Sequence, residues 1–456
     1  MTYFSIHSHT EFSNLRLLDA INKPEKLIDK AIEMGLSGIA ITDHESLSAH
    51  MRVNKYAKKI QETNPDFKIA LGNEIYLTDT RESGQKYYHF ILIAKDLVGH
   101  KALKELSSIA WYNIYTDRGL ERVPTLKNEL TEIVSKYKGH LIATTACLGG
   151  ELSTNALELV KTEMANDMIN RQIYYDNIVR FMQFCIGLFG DDFYIECAPS
   201  SNQEQVMVNK KLIEIARAFK VKMVVGTDAH YYTKEDRWVH KAYLNSKGGE
   251  REVDSFYEFA RLMEYEEVVE LLNICFTNEE TQTILNNTLE IQNKIENYSL
   301  EKHQSIQEVA VKDYPKSLSH FGVNNDLRDD LDTNYPIVKS LLLSDNIQER
   351  YWINQCLDAL IEKDLFHDER YIARLEEEAA TKRIIGEKLH TNMFAYPITL
   401  QHYIDLFWEC GSTVGAGRGS ACAGLNHYLL GITQLDPIEW GLPFWRLELL
   451  RNSLPA

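Results

Sequence analysis

The sequence lacks the features of membrane proteins and of secreted proteins. None of its apolar runs reaches membrane-spanning length, and its first residues do not form the basic and then apolar stretch of a signal peptide. Its seven cysteines are scattered without the spacing of a disulfide framework, which favours a reducing compartment. We therefore expect a cytoplasmic protein with no membrane partner.

Positive charge is also scarce. The chain has 49 lysines and arginines against 66 aspartates and glutamates, which gives a net charge of −17. This balance argues against a protein that coats nucleic acid through bulk positive charge, although it leaves room for a local basic groove. A surplus of carboxylates is instead compatible with a cleft that binds divalent cations.

What the sequence does contain is typical of a folded protein with more than one domain. Hydrophobic residues make up 44% and charged residues 25% of its 456 residues, and this length can supply two or three separate cores. Up to about residue 245, short apolar segments such as GLSGIAITDH alternate with amphipathic segments such as NQEQVMVNKKLIEIARAFK. This alternation predicts a parallel sheet wrapped by helices and closed into a barrel, with functional groups at the strand ends.

Histidines, acids and a cysteine recur where the predicted strands end. His7 and His9 are two residues apart on a predicted strand, so their imidazoles share a face, and Asp228-x-His230 repeats that spacing. The residues at or near strand ends are His7, His9, His44, Glu74, Cys147, Asp228 and His230, and His89 lies at a strand start. Any one of them alone is more often an ordinary core or surface residue. Together they predict a centre for zinc or manganese rather than calcium, because imidazole, carboxylate and thiolate ligands are mixed.

Seven short motifs occur in order along this region: HSHTEFS, LLDA, AITDH, LGNEIYL, YHFILIAKD, TTACLGGEL and GTDAHYYTKED. They resemble the PHP domain (polymerase and histidinol phosphatase) of bacterial replicative DNA polymerase III alpha subunits, which are C-family polymerases. The resemblance implies a seven-stranded β/α barrel over residues 1–250 that holds two to three divalent ions (Zn, Mn or Mg) with nine ligands. Those ligands would be His7, His9, Asp19, His44, Glu74, His89, Cys147, Asp228 and His230.

Asp19 is the member of this set that departs from the family pattern. Its LLDA motif lacks the glycine that usually follows, and Glu11 is the alternative ligand. Because all nine residue types are present, the resemblance implies an active phosphoesterase, which in this family is a metal-dependent 3′–5′ exonuclease. In such a centre the metal ions activate a water and neutralise charge on the phosphodiester.

The resemblance also assigns roles within the set. Glu74 would bridge two ions, and Glu74, Asp228 and His230 would be the catalytic residues. Cys147 would bind as a thiolate after losing its proton to the metal. Four histidines match no motif and are predicted to be bystanders: His50, His100, His140 and His240.

Residues 251–370 are predicted to form an acidic helical connector that leads into a polymerase palm. Segments such as EVDSFYEFARLMEYEEVVELLN have an amphipathic helical pattern and contain no recognisable site. The polar segment HFGVNNDLRDDLDTN raises the alternative of a calcium loop, but its spacing fits no EF-hand. A solvated turn is therefore favoured.

The segment GSTVGAGRGSACAGLNHYLLG, in the predicted domain 371–456, has a pattern typical of a phosphate site. It predicts a strand end, a glycine-rich loop and a helix that begins near Ser420. Gly415, Gly417 and Gly419 would let backbone amides approach a ligand, and Arg418 would add positive charge. By itself, a glycine-rich turn is equally compatible with a tight connection.

The same segment resembles the start of the palm of C-family polymerases, which would make this region an incomplete α+β palm. In that family the GRGS loop contacts the triphosphate of the incoming nucleotide, and here it would comprise Gly417, Arg418, Gly419 and Ser420. The LLGIT–DP stretch that follows it in the family is also present, at residues 429–437. The resemblance implies DNA, deoxynucleoside triphosphates and replisome subunits as partners, with Mg for the polymerase reaction.

In the family, the paired catalytic aspartates follow a SLPD-like motif, and this sequence stops at Ser453–Ala456 before them. We therefore expect the N-terminal portion of a polymerase, truncated or split, that cannot extend a primer without the remaining polymerase chain. Two alternatives stay open: a stand-alone phosphoesterase acting on small phosphate esters, and an inert barrel that serves as a structural platform. The GRGS loop favours the polymerase, because a small-molecule phosphatase has no use for a triphosphate-binding palm.

Overall fold

The computed structural model describes residues 2–15, 18–117, 120–246, 257–302, 305–323, 331–444 and 452. The chain divides into two compact units, Met1–Lys302 and His303–Ala456. The domain boundaries that we predict at residues 250 and 370 stay a prediction. Ser453–Ala456, and residues 324–330 of the carboxylate-rich segment, lie outside the described residues.

The strands of the first unit follow one another along the chain with helices between most of them. They are β1 (Phe4–Ser5), β2 (Gly38–Ile41), β3 (Lys68–Thr78), β4 (Tyr88–Ala94), β5 (Tyr115–Asp117), β6 (Leu120–Arg122), β7 (Thr125–Leu126), β8 (Leu141–Thr144), β9 (Phe193–Cys197) and β10 (Met223–Val225). β5 and β6 form a separate antiparallel hairpin.

The helices of the first unit cover the outside of this sheet. They are α1 (Pro24–Glu33), α2 (His50–Thr63), α3 (Leu97–Tyr112), α4 (Lys127–Lys136), α5 (Glu151–Met164), α6 (Met168–Phe189), α7 (Gln203–Phe219), α8 (Arg237–Asn245), α9 (Tyr265–Leu272) and α10 (Asn278–Asn293). Over the part of the chain that the structure describes, no helix is both long enough and apolar enough to cross a membrane.

The sheet closes on itself. Seven strands follow the order β1–β2–β3–β4–β8–β9–β10, and the short β7 also pairs with β3. Beyond these strands, Ser8 forms a parallel bridge with Ala229. The backbone N–H of His9 donates to the Ala229 carbonyl at 2.9 Å, and the Ala229 N–H donates to the His7 carbonyl at 3.2 Å. The predicted seven-stranded barrel is therefore confirmed.

One strand runs against the predicted direction. β4 is antiparallel to both of its neighbours, β3 and β8, whereas the pairs β1–β2, β2–β3, β8–β9 and β9–β10 are parallel. The prediction of a wholly parallel sheet is thus wrong at β4. The physical reason is its connection, because residues 79–87 join β3 to β4 without a helix and a parallel neighbour needs a long crossover.

Alternate positions of each strand face opposite sides of the barrel wall. In β2, Ala40 belongs to the cluster that fills the barrel, together with Phe4 and Ile91. Ile39 and Ile41 belong instead to the larger cluster under the helices. Since both faces are buried, these strands read as continuous apolar runs.

Helix α10 closes the end of the barrel at which the parallel strands begin. Its Ile291 belongs to the cluster inside the barrel. The Thr288 hydroxyl accepts a hydrogen bond from the N–H of Phe4 at 3.1 Å. The amide of Asn287 donates to the carbonyl of Met223, the first residue of β10, at 2.8 Å. Only the opposite end, where the parallel strands finish, is left for a site.

Helices are the regular secondary structure of the second unit over its described residues. Its helices are α11 (Pro336–Leu342), α12 (Ile347–Glu362), α13 (Glu369–Leu389), α14 (Ala395–Glu409) and α15 (Leu425–Leu429). They surround their own core, in which Trp352 and Leu357 are fully buried. Residues 305–323 and 331–444 contain no strand, so a sheet of the predicted α+β palm does not lie among them.

Candidate metal centre

The predicted ligands come together at the open end of the barrel. His7 and His9 follow β1, His44 follows β2, and Asp228 and His230 follow β10. Glu74 and His89 lie at the same end of the barrel, but each lies within a strand and does not follow one. β3 is long enough to carry Glu74 in its middle, and the antiparallel β4 begins at this end with His89 as its second residue.

Glu74 lies at the centre of the group and is fully buried. Its Oε2 is 3.0 Å from His9 Nε2, 3.0 Å from His44 Nδ1 and 3.4 Å from His7 Nε2. Its Oε1 is 2.5 Å from His89 Nδ1. The two oxygens therefore face different sets of imidazoles, which is the placement that a bridging carboxylate needs.

Aspartates complete the group on two sides. Asp228 Oδ1 lies 3.1 Å from His7 Nε2 and 3.1 Å from His9 Nε2. Asp19 Oδ2 lies 3.2 Å from His44 Nε2 and 3.3 Å from His230 Nε2. Three sets have donor atoms that all lie within 4.8 Å of one another: His7, His9, Glu74 and Asp228; His9, His44 and His230; and His44, Glu74 and His89.

The two remaining candidates differ in position. The Cys147 thiol is buried at the edge of the group, with Sγ 3.6 Å from His89 Nδ1, and it belongs to none of those three sets. Glu11, the alternative to Asp19, faces away from the group. Its carboxylate pairs with Lys23 and lies 3.3 Å from the guanidinium of Arg52. Asp19, and not Glu11, therefore has the geometry of a candidate ligand.

Residues behind the group fix the orientation of its histidines. The Nδ1–H of His7 donates to Glu196 Oε1 at 2.6 Å. His9 Nδ1 lies 3.1 Å from the hydroxyl of Ser13, which itself donates to Asp43 and so accepts from the imidazole. The Nδ1–H of His230 donates to a backbone carbonyl at 2.7 Å. In all three rings this leaves Nε2 to face the centre.

Two of these supporting residues, Glu196 and Asp43, are not among the residues predicted from the sequence. Glu196 is an acid in the middle of the buried strand FYIEC, and a charged residue inside a buried strand is itself a signal of a partner. Asp43 precedes His44 and accepts from the N–H of Thr10 at 2.6 Å and from Ser13 at 2.8 Å. Asp43 thereby links the segment that follows His9 to the segment that carries His44.

The charges of the group are coupled through burial. Burial by itself raises the pKa of Glu74, but the imidazoles of His89, His44 and His7 hold that pKa well below its usual value. Burial lowers the pKa of His7, yet Asp228, Glu196 and Glu74 raise it above its usual value overall. The Glu74 carboxylate thus stays ionised, and His7 and His44, whose pKa values are raised, supply protons as its counter-charge. A divalent cation can replace those protons.

The buried lone pairs of the group fit such a cation. Four buried atoms complete no well-formed hydrogen bond: Asp19 Oδ1, His44 Nδ1, Glu74 Oε1 and Asp228 Oδ1. The last three nevertheless lie 2.5 to 3.1 Å from an imidazole or carboxylate of the group. Donor atoms that face one another so closely without good hydrogen-bond geometry are arranged as ligands around an ion. Nitrogen and oxygen donors with one thiol nearby suit zinc or manganese. Burial, Asp228 and Glu74 raise the pKa of the Cys147 thiol, so only a bound cation would make it a thiolate.

Three non-glycine residues at this rim have a left-handed backbone. They are Glu45, Ala146 and Asp228, with φ values of 48°, 57° and 47°. Each is a candidate ligand or the neighbour of one, His44 or Cys147. A left-handed L-residue costs about 1 kcal/mol or more, and such conformations are typical of functional turns.

The histidines that we predict to be bystanders fall into two groups. His50 Nδ1 and His100 Nε2 lie 3.0 Å apart, and His140 pairs with Asp96 at 2.6 Å, away from the candidate ligands. For His240 the prediction is wrong. Its Nε2 donates to the backbone carbonyl of Asp19 at 2.5 Å and so supports the loop that carries this ligand.

The glycine-rich loop of the second unit is exposed. A strand end before it was predicted, but residues 412–418 are irregular, so that prediction is wrong. A short 3₁₀ helix, Gly419–Ala423, leads into α15, which begins at Leu425 and not near Ser420. Gly417 needs to be glycine, because its φ is 141° and a Cβ there would lie 2.7 Å from Cys422 Sγ.

The loop is held from behind by a buried carboxylate that the sequence analysis also missed. Glu378 on α13 is fully buried. It accepts hydrogen bonds from the backbone N–H groups of Leu425 and Asn426 at 2.7 and 3.0 Å, and from the Asn426 side chain at 2.6 Å. The start of α15, immediately after the loop, is thereby fixed.

Comparison with known proteins identifies two family models in the chain. A model of the PHP domain matches residues 5–200, and a model of the bacterial DNA polymerase III alpha NTPase domain matches residues 342–455. The first match contains the barrel up to the end of β9, and the second contains the glycine-rich loop.

The curated relatives match nearly the whole chain. A DNA-directed DNA polymerase of Bacillus phage SPbeta is 38% identical over 474 residues, which cover 98% of this chain and 36% of that protein. The DNA polymerase III subunit alpha of Aquifex aeolicus (strain VF5) is 29% identical, with 99% of this chain and 35% of that protein covered. The chain thus spans about a third of the length of these relatives.

Among solved structures, a candidate metal-dependent phosphoesterase from Bifidobacterium adolescentis aligns with 60% of this chain and 97% of its own. The two share 15% identity, with a TM-score of 0.31. This score is too low to support an argument about fold or function.

Proposed function

We propose that the barrel hydrolyses phosphodiester bonds of DNA, because residues 5–200 match a model of the PHP domain and residues 342–455 match a model of the bacterial DNA polymerase III alpha NTPase domain. The observation that carries the proposal is the buried group at the open end of the barrel. It places four carboxylate and imidazole donors, His7, His9, Glu74 and Asp228, within 4.8 Å of one another, and all four residues are buried.

Divalent ions would be held by these four residues together with four further candidates at the same rim, Asp19, His44, His89 and His230. When bound, such ions supply an acidified water as nucleophile and positive charge against the phosphate oxygens. Cys147 would join them as a ligand at the edge of the group. We expect the bound ions to be Zn, Mn or Mg.

In the reaction, the protein's own residues would hold the ligand atoms in a fixed orientation and keep water away from the buried group. Glu74 presents its two oxygens to separate imidazole sets, which suits the bridging role. Asp228 is held in a left-handed turn with Oδ1 between His7 and His9. The Nδ1–H of His230 is engaged by a backbone carbonyl, so its Nε2, 3.3 Å from Asp19 Oδ2, is the nitrogen that faces the centre of the group. Because the group is buried, charges act there with little screening by solvent.

The finer proposal is that the substrate is single-stranded DNA and that the barrel shortens it from its 3′ end. The polymerase relatives and the PHP domain support this assignment, because an exonuclease site next to a polymerase removes mispaired ends. The second unit would bind the triphosphate of a deoxynucleotide through Gly417, Arg418, Gly419 and Ser420. DNA synthesis by the whole polymerase, with Mg, and contact with replisome subunits belong to the same proposal.

The test is the removal of nucleotides from a 5′-labelled single-stranded oligonucleotide by the purified chain loaded with manganese or zinc. We expect a ladder of products shortened from the 3′ end, which chelator stops. His9→Ala and Asp228→Asn should abolish the ladder. His140→Asn is the matched control, because His140 pairs only with Asp96 away from the group.

Two other outcomes would contradict the proposal. Rapid hydrolysis of p-nitrophenyl phosphate with no action on the oligonucleotide would favour the stand-alone phosphoesterase of small esters. Absence of bound metal after loading, with the fold intact by circular dichroism, would favour an inert structural barrel.

A further inference from the structure

A tryptophan is fixed to the rim of the metal centre by its indole nitrogen. Trp111 lies near the end of α3, and its Nε1–H donates to the backbone carbonyl of Glu45 at 2.7 Å. Glu45 directly follows the candidate ligand His44. The indole nitrogen is therefore used inside the protein, while 36% of the side chain stays exposed at the rim.

The anchor itself is rigid. The Glu45 N–H donates to the carbonyl of Glu74 at 2.9 Å, and its carboxylate accepts from the N–H of Tyr76. Its left-handed backbone, with φ of 48°, is held by these contacts. An aromatic ring bound to such a turn has a fixed place relative to the metal ligands on both sides of it.

Further aromatic and basic groups lie next to this tryptophan in sequence, beside the candidate ligand His89, and on β4, β6 and the residues before β4. Tyr112, the next residue, is 88% exposed. The ring of Tyr76 lies 4.9 Å from that of His89, centroid to centroid. On the neighbouring segments, the Lys86 Nζ lies 5.3 Å from the Tyr88 ring centroid and the Arg122 guanidinium lies 5.3 Å from the centroid of Tyr87.

This combination matches the chemistry of single-stranded nucleic acid. Bases stack on exposed aromatic faces, and cations beside those faces follow the phosphates. Stacking does not discriminate between bases, because every base has a π-face, and it therefore suits an enzyme that must accept any sequence. A purely structural tryptophan at this position would not need an exposed aromatic neighbour.

We propose that Trp111 is a positioning residue that stacks on a base next to the phosphate to be cleaved, with Tyr112 as the following contact. This inference rests on the proposed phosphodiesterase function for its purpose, but binding can be measured without hydrolysis. It names the substrate class of the site as a single-stranded polynucleotide and not a small phosphate ester.

The first experiment measures binding of a short fluorescein-labelled oligothymidylate by fluorescence anisotropy, in the presence of chelator and again with manganese. Trp111→Leu should weaken binding roughly tenfold or more, since loss of one stacked base costs roughly 5- to 150-fold. Trp111→Phe should retain most of the affinity, because the ring remains and only the indole hydrogen bond is lost. Trp238→Leu, which removes another exposed tryptophan of the first unit, should bind like the unsubstituted chain.

The second experiment separates stacking from support of the ligand loop. With the oligonucleotide as substrate, Trp111→Leu should raise KM and change kcat little. With bis(p-nitrophenyl) phosphate, which has no base to stack, the variant should be as active as the unsubstituted chain. Metal content should also be unchanged.

The results that would overturn the inference are distinct from those that overturn the function. Equal loss on both substrates, or loss of metal in Trp111→Leu, would mean that Trp111 only supports His44. Equal weakening by Trp238→Leu, or no oligothymidylate binding by the unsubstituted chain, would also refute the inference. Binding that depends on Trp111 in a chain that hydrolyses nothing would leave the inference standing and refute the function.

Discussion

The barrel rim and the loop Gly417–Ser420 are prepared for their ligands in opposite ways. At the rim, the candidate donor atoms are buried, oriented by a layer of residues behind them, and close enough to one another to surround a cation. The loop is exposed, and hydrogen bonds hold its two sides: Gln434 N–H donates to the Ala416 carbonyl at 2.7 Å, and Glu378 accepts from the Leu425 and Asn426 N–H groups. The arrangement and charge of the rim residues therefore favour a cation. The loop presents backbone amides and the Arg418 guanidinium to a ligand, which makes it less selective.

Both regions nevertheless use the same device, a buried carboxylate that accepts several hydrogen bonds. At the rim Glu196 holds His7 and accepts from Thr144, and in the second unit Glu378 holds the start of α15. The difference is that Glu196 binds a histidine of the candidate metal centre, while Glu378 binds two backbone N–H groups, the Asn426 side chain and Arg374 Nε at 3.2 Å. Substitution of each carboxylate should therefore produce different losses.

The largest effect is expected from Glu74→Gln. The side chain keeps its size but loses the charge that faces several imidazoles, so bound metal should fall and hydrolysis should drop by more than about 100-fold. Metal content by elemental analysis and the oligonucleotide assay check this. Glu62→Gln, at an exposed position of α2, is the control. Full metal content in Glu74→Gln would break the comparison, because the rim would then not depend on its central charge.

Glu378→Ala should lower the stability of the second unit and leave the hydrolysis rate of the barrel unchanged. It leaves the amide groups of Leu425 and Asn426 without a partner in the core, which should lower the free energy of unfolding of the second unit by about 3 kcal/mol. Urea unfolding followed by tryptophan fluorescence measures it, with exposed Glu387→Ala on the same helix as control. A matching loss of barrel hydrolysis would show that the two regions are not independent.

Glu196→Gln should weaken the rim without abolishing it. The amide can still accept from His7, but the charge that favours the correct tautomer is gone, so metal affinity should fall by roughly 10- to 100-fold. Competition with a fluorescent zinc chelator gives the affinity. Glu290→Gln, whose carboxylate pairs with Lys222 instead, should leave it unchanged. An unchanged affinity in Glu196→Gln would mean that Ser13 and the backbone orient the rim on their own.

The histidine pair outside the rim gives a smaller, pH-dependent effect. Burial and then the charge of His100 lower the pKa of His50 to about 3, against an ordinary value of 6.5. The unfolded chain therefore binds more protons in this range, and the stability that neutral His50 provides is complete above pH 6.5 and is lost as the pH falls toward 3. Comparison of unfolding free energies should show that the unsubstituted chain loses on the order of 2 kcal/mol more than His50→Gln between pH 7 and pH 5.

The control for that comparison is His402→Gln, at an exposed position of α14, which should follow the unsubstituted chain at each pH. The metal-centre histidines titrate in all three proteins and cancel in the difference. Parallel curves for His50→Gln and the unsubstituted chain would mean that the histidine pair opens before global unfolding.

The barrel and most of the candidate ligands could be predicted because their signals are local. A buried strand reads as an apolar run, and a ligand two residues from another on a strand shares its face, as with His7 and His9. Strand direction is a different matter. An apolar run such as YYHFILIAK looks the same whether it pairs parallel or antiparallel, so only the short connection of residues 79–87 indicates that β4 is reversed.

Residues that position ligands or loops were harder to predict than the ligands themselves. Glu196, Glu378 and His240 contact residues distant in sequence, and the residues beside them in the sequence do not indicate which partner they contact. The prediction of a strand end before Gly417 was wrong for a related reason. Its Thr413-Val414 pair has the composition of a strand end, but a strand forms only where a neighbouring strand is present to pair with it.

Helix α10 covers the end of the barrel at which the parallel strands begin, and this has a consequence for how DNA can reach the metal centre. A strand that reaches the metal centre cannot thread through and leave at the far side, since Ile291 and the contacts of Thr288 and Asn287 close that side. The apolar cluster around Phe4 and Ile91 also fills the interior between the two ends. We therefore expect a DNA 3′ end to approach the candidate ligands, and its product to leave, on the side where the parallel strands finish.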